Sequence, residues 1–151
     1  MNQTYDLFNE ILVKLFRDIM DIEGKAIITE EFRDISNNDM HIMEAIGIHE
    51  KKNMSTVAKE LSVTIGTLTI AVNNLVKKGY VDRVRGKEDR RVVYISLTEK
   101  GEKAYRHHEE FHRRMILAMI DGLSEEETGV LVKALSSLNQ FFRHEAEENK
   151  R

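Results

Sequence analysis

The sequence predicts a mainly α fold with one small β-hairpin set between helices. Three observations carry this expectation. Apolar residues recur at helical spacing over most of the chain. Pro is absent from all 151 residues, so nothing breaks a long helix from within. Between residues 80 and 97 alone, the apolar period drops to two. Hydrophobic residues make up 41% and charged residues 32%, a balance that builds a globular core and excludes disorder. No apolar run reaches the roughly 18 residues of a membrane span, and the polar start Met1-Asn2-Gln3-Thr4-Tyr5-Asp6 shows no secretory signal. The absence of Cys excludes disulfides, thiolate metal sites and Cys nucleophiles. The expectation is a cytoplasmic protein with no membrane partner.

The elements follow in chain order. Leu7, Phe8, Ile11, Leu12, Leu15, Phe16, Ile19 and Met20 form one wide apolar stripe, predicting a helix over 7–20. Ser36 and Asp39 have the spacing of a capping box and open a second helix with Met40, Ile42, Met43 and Ile46 inward, ending near Gly47. Ser55 is the expected cap of a short third helix that buries Val57, Ala58 and Leu61. After the break Ser62-Val63-Thr64, Thr64 caps a fourth helix with Leu68, Val72 and Leu75 on one side, and Gly79 stops it after Lys77 and Lys78. Tyr80 to Arg85 and the alternating Val93, Ile95 and Leu97 make the hairpin, with Gly86-Lys87-Glu88-Asp89 as its turn. Thr98 caps a long helix in which Gly101, Ala104, His108, Phe111, Met115 and Ala118 continue a 4-3 stripe from Leu97. Ser124, followed by three Glu residues, opens a last helix presenting Val130, Leu131, Ala134, Leu135, Leu138, Phe141 and Phe142.

Short helix, three-residue turn, helix and hairpin is the order of a winged helix-turn-helix, whose second helix fits the major groove and whose hairpin tip reaches backbone or minor groove. The net charge of −3 looks unsuited to DNA, but it is unevenly spread. From Thr64 to Tyr94, seven basic residues oppose three acidic ones, so this stretch carries +4 and the remainder −7. With Leu68, Val72 and Leu75 inward, the outward set on the fourth helix is Gly66, Thr67, Thr69, Ile70, Asn73 and Asn74. Thr67 and Thr69 can donate, accept or touch a thymine methyl, and Asn73 can pair with adenine. No Arg stands there to grip guanine. The expectation is an A·T-rich site read weakly at the bases, with Arg90 or Arg91 in a narrow minor groove and Ser55, Thr64 and Lys77 on phosphates.

Gly79-Tyr80-Val81, Asp89-Arg90-Arg91 and Leu97-Thr98-Glu99-Lys100-Gly101 resemble the MarR family of bacterial transcriptional regulators over nearly the whole chain. The resemblance implies a homodimer on a palindromic double-stranded DNA site, with Asp89 positioning a wing arginine. Residues 1–151 would then be one MarR-type domain, with dimerisation segments 1–35 and 102–151 around a winged helix-turn-helix at 36–101. The apolar faces of the terminal helices agree, since a small winged domain supplies them too few partners. Asp39-Met40-His41-Ile42, Thr64-Ile65-Gly66-Thr67, Asn73-Asn74-Leu75, Asp89-Arg90-Arg91-Val92-Val93 and Ile120-Asp121-Gly122-Leu123-Ser124 are most similar to one branch, the fatty-acid-biosynthesis repressors of Gram-positive bacteria. That branch implies a long-chain acyl group on acyl carrier protein as co-repressor. Met20, Met43, Met115 and Met119 are candidates to line an acyl tunnel, and Arg106, Arg113 and Arg114 to receive the acidic carrier.

The histidines support other readings. Glu23, His41, His108 and His112 match the metal ligands of zinc-responsive MarR regulators, a set able to hold tetrahedral zinc without thiolates. Arg113 and Arg114 directly after His112 oppose a cation there. A His on an apolar stripe also serves as a core polar group. His108-Glu109-Glu110-Phe111-His112 fits the H-E-x-x-H pattern of zinc metalloproteases, but the helix already belongs to a dimerising framework, and the expectation is that the chain is not an enzyme. A cleft between winged domain and dimer helices suits a small aromatic effector as a further alternative.

Overall fold

A computed structural model describes residues 2–149. Its elements are α1 (Asn2–Ile27), α2 (Asn37–Ile46), β1 (Lys52–Asn53), α3 (Met54–Glu60), α4 (Ile65–Lys77), β2 (Val81–Arg85), β3 (Val93–Leu97), α5 (Glu99–Ile120) and α6 (Glu125–Glu148). The chain divides into two compact units, one running to His112 and the other beginning at Arg113.

In the first unit, the core gathers Met40, Met43 and Ile46 of α2, Val57 of α3, Leu68, Val72 and Leu75 of α4, and Tyr80, Val81 and Ile95 of the hairpin. This is the inward set the periodicity predicts for α4. Ser36 accepts from the Asp39 N–H at 3.1 Å while Asp39 accepts from the Ser36 N–H at 3.1 Å, the reciprocal capping box expected for α2. Gly79, at φ +83°, turns the chain out of α4 in a conformation that costs a glycine little. Thr98 caps α5, its hydroxyl accepting from the Gly101 N–H at 3.1 Å. In the second unit, Ser124 and Glu127 form a capping box at the start of α6.

Three expectations require correction. The first helix extends beyond 7–20 at both ends, because nothing from Met20 to Ile27 breaks it and Glu23 and Ile27 find burial. Ser55 does not cap α3. Asn53 does, its side-chain oxygen accepting from the Thr56 N–H at 2.7 Å, two residues earlier than the Ser55 assignment requires. The sheet has three strands in the order β1-β3-β2, since Lys52 and Asn53 pair with Ile95 and Tyr94. A two-residue strand carries no alternation from which to read it.

The apolar stripes of the outer helices remain open in the single chain. On α1, Leu7, Phe8, Ile11, Phe16 and Met20 are about half exposed or more, as are Val130, Phe141 and Phe142 on α6. No residue of α6 is buried. Among the described residues, no helix is long and apolar enough to cross a membrane.

Candidate nucleic-acid interface

The α3–α4 turn is tight. Ser62 adopts φ 55°, a left-handed conformation that a non-glycine residue accepts at some cost, and its N–H donates to Lys59 O at 3.1 Å. Thr64 follows in extended conformation and caps α4 by accepting from the Thr67 N–H at 3.1 Å. Its hydroxyl donates in turn to Thr67 Oγ1 at 3.0 Å. Thr67 therefore keeps its own hydroxyl proton for an outside acceptor. Thr69 does not, because its Oγ1 donates to Ile65 O at 2.7 Å, leaving an acceptor lone pair and a methyl group.

The wing faces α4 along one stripe. Ile65, Thr69 and Asn73 stand one turn apart on the helix. Val81, Arg83 and Arg85 share a face of β2, because they pair directly with Leu97, Ile95 and Val93. Val81 is buried by the core, and Arg83 is one step further out. Its Nη2 donates to Asn73 Oδ1, tying wing to recognition helix. A cleft of about 360 Å3 opens beside this contact, lined by Ser55 and Asn53 from α3 and its cap, Ile65 and Thr69 from α4, and Arg83 and Arg91 from the wing. Three of the expected DNA contacts, Ser55, Thr69 and Arg91, meet in it. Thr64, Thr67 and Lys77 are exposed on α4 or at its cap, and Asn73 is half-buried. Arg90 sits at the hairpin tip beside Arg85, Gly86 and Lys87.

Asp89 reaches Arg91 mainly through the backbone. Its Oδ1 accepts from the Arg91 N–H at 2.9 Å and lies 4.0 Å from the guanidinium Nε, with the Arg91 side chain 95% exposed. The carboxylate thus shapes the turn from which the arginine projects. Arg83, Asn53 and Glu44 are the functional candidates that sequence reasoning missed. The alternation of β2, with Val81 inward, was a usable signal for Arg83.

A second cluster lies between α1, α2 and α5 in the same unit. His108 is buried, its Nε2 lying 3.0 Å from Glu44 Oε1 and 3.2 Å from Glu23 Oε1. His112 Nε2 lies 2.8 Å from the same Glu23 oxygen. Neither ring nitrogen of His108 has a well-aligned hydrogen-bond partner, so its contacts with the carboxylates are close but poorly directed. The polar contact with His108 holds the Glu44 carboxyl below its ordinary range, against the opposing effect of burial. Glu23, His108 and His112 offer donor atoms within 4.8 Å of one another. His41 is absent from that group, a departure from the expected four-residue set. It is exposed on α2 and lines a separate cleft of about 170 Å3 with Asn38, Leu61 and Thr67, while Glu44, three residues on, turns to His108.

The remaining candidates are dispersed. Met43 is fully buried in the core, whereas Met20 and Met119 are about half exposed. Arg106 Nη2 approaches His49 Nε2 at 3.5 Å in the first unit. Arg113 and Arg114 are exposed in the second.

Turn, recognition helix, positive wing and the cleft between them define a winged helix-turn-helix DNA-binding regulator. The chain belongs to the SarA/Rot family of transcriptional regulators, whose model matches residues 25–108, within the MarR type of winged-helix fold. It is similar to Streptococcus pneumoniae FabT, solved in complex with DNA, at 44% identity over 93% of this chain and 98% of that one, with a TM-score of 0.84. A mutant MarR from E. coli, complexed with operator DNA, is 25% identical over 87% of this chain and 97% of its own, with a TM-score of 0.60. The Bacillus subtilis regulator YpoP is 29% identical over 90% of this chain and 93% of its own. The family and these relatives are transcriptional regulators, the class the sequence leads one to expect.

Proposed function

We propose that the chain is a homodimeric repressor of fatty-acid-biosynthesis genes. Each protomer places α4 in the major groove of a palindromic, A·T-rich site and sends Arg90 or Arg91 into the flanking minor groove. The observation that carries the DNA-binding geometry is the cleft joining Ser55, Thr69 and Arg91 from three elements on one face. Ser55, Thr64 and Lys77 take phosphates, Thr67 and Asn73 reach base edges, and Asp89 sets the course of Arg91. The open apolar stripes of α1 and α6 support a second copy of the chain as the dimer partner. The motif resemblance and the full-length similarity to FabT support the fatty-acid reading. An acyl chain delivered on acyl carrier protein is the co-repressor, with Arg106, Arg113 and Arg114 as the carrier's landing residues. The test measures affinity for promoter fragments of fatty-acid-synthesis genes at fixed salt, with and without acylated carrier protein. Tighter binding with the acylated carrier, and none with the unacylated one, is expected. Equal curves refute the co-repressor.

A second reading is zinc regulation, favoured by the convergence of Glu23, His108 and His112. The donor set fits zinc, since one carboxylate oxygen and two imidazoles are ligands it takes readily. Zinc would supply a fixed link between α1 and α5 there, and Glu44 is the neighbouring carboxylate. Equilibrium dialysis of the wild type against H108A decides it. Zinc retained equally by both proteins removes the site.

A further inference from the structure

The reading face of α4 has two features that nothing else in the described chain explains. Ile70 is 68% exposed, the most exposed large hydrophobic between residues 37 and 101. It projects from the second turn of the helix, away from the buried Leu68, Val72 and Leu75. One turn earlier stands Gly66. A Cβ there would meet only Thr64 Oγ1, at an unstrained 3.9 Å, and the residue is not in the left-handed region. Helices disfavour glycine, and nothing inside the protein asks for one here. The face is therefore stripped of bulk at its first turn and apolar at its second.

What covers it follows from its surroundings. The wing beside it carries Arg83, Arg85, Lys87, Arg90 and Arg91, and Lys77 ends the helix, so the fitting partner is polyanionic. The major groove of duplex DNA displays one apolar group, the C5-methyl of thymine. The neighbouring polar groups are partly committed within the protein. The Thr69 hydroxyl proton goes to Ile65 O and the Asn73 oxygen to Arg83. We propose that Ile70 is a specificity-determining residue that packs on the C5-methyl of one thymine in each half-site, and that Gly66 lets α4 approach the bases closely enough for this contact. The inference rests on α4 occupying the major groove.

The experiment enriches binding sequences from a randomised duplex library. It then replaces each thymine of the enriched duplex singly with deoxyuridine, which lacks only the methyl. Affinities are read by fluorescence anisotropy at one salt concentration for wild type, I70A, G66A and R91A. Wild type is expected to lose about fourfold at one thymine per half-site, the ratio corresponding to one buried methyl group. I70A is expected to bind more weakly and to be indifferent to that exchange. G66A is expected to weaken with every duplex while melting no lower than wild type. If I70A keeps the same uracil sensitivity, or wild type shows none at any thymine, the inference is overturned even though R91A still weakens binding. If no sequence enriches, or I70A and R91A both bind as wild type does, the placement of α4 in the groove fails and takes this inference with it.

Discussion

Gly101 offers the sharpest test of the packing that aims the recognition helix. It is the third residue of α5 and lies against the backbone just before β2. A Cβ built there would meet the Tyr80 carbonyl oxygen at 2.1 Å, the Tyr80 carbonyl carbon at 3.1 Å and Leu97 Cβ at 3.3 Å. Real contacts of this kind do not fall below 3.0 Å, so G101A must drive α5 and Tyr80 apart by roughly 1 Å in an interior packed too densely to yield freely. Such overpacking costs about 1–3 kcal/mol. The displaced carbonyl also accepts from the Thr98 N–H at 3.0 Å, and losing that bond adds about 1 kcal/mol. The better helix propensity of alanine returns about 1 kcal/mol. The last two terms cancel, so the net expectation is about 1–3 kcal/mol of destabilisation, which lowers Tm by about 3–10 °C in a chain of this size. Thermal melts followed by circular dichroism test this, with protein concentration held fixed because association shifts Tm. A G101A melt within about 2 °C of wild type would falsify the close approach of α5 to Tyr80.

R91A should bind duplex DNA about tenfold more weakly, a loss of about 1.4 kcal/mol, with a shallower dependence on salt. An unchanged anisotropy curve would show that the wing does not reach DNA. N73A and R83A should be non-additive in DNA affinity, because each removes the same contact between helix and wing; strict additivity in a double-mutant cycle argues against coupling. E44Q should alter the pH dependence of stability. The folded-state pKa of Glu44 is lowered, so its contribution is present above the unfolded value of about 4.3 and lost as pH falls through the lower folded value. Urea unfolding should find E44Q weaker than wild type near neutrality and the two converging in acid. A constant gap at every pH contradicts the role of the His108 contact.

Helical periodicity made most of the fold legible, because burial of one stripe per helix is a local property. Leu68, Val72 and Leu75 follow from spacing alone and are buried as expected. Caps at Ser36, Thr64 and Ser124 were readable because a side-chain acceptor near the N–H it serves is also local. Asn53 was not recognised, since Ser55 offered a competing acceptor two residues away and only the path of the chain chooses between them. β1 has two residues and exists only because β3 has an edge beside it. The histidine cluster shows the same limit in three dimensions. Spacing put His108 and His112 on one face. Which of His41 and Glu44 turns toward them depends on the rotation of α2 about its own axis, and that is set by the core beneath it.

That core is joined to the reading helix by polar contacts as well as by packing. Lys78, the cap that ends α4, donates to Asp34 O at 2.6 Å and to Asp39 Oδ2 at 3.0 Å. Asp39 is also the capping-box partner of Ser36, so one carboxylate serves the start of α2 and the end of α4 together. The buried Tyr80 donates to Asp34 Oδ1 at 2.7 Å and so holds that carboxyl below its ordinary range. Lys100 of α5 donates to Lys78 O at 3.1 Å and lies 4.3 Å from the centre of the Tyr80 ring. Glu44, against His108, is on the same short helix as Asp39. A change that rotates or slides α2 at Glu44 must therefore either carry the end of α4 with it or break the charge-assisted bond between Lys78 and Asp39, at a cost of about 1.5–3 kcal/mol. A ligand that prefers one position of α2 can change DNA affinity only by the difference in its own affinity for the two positions.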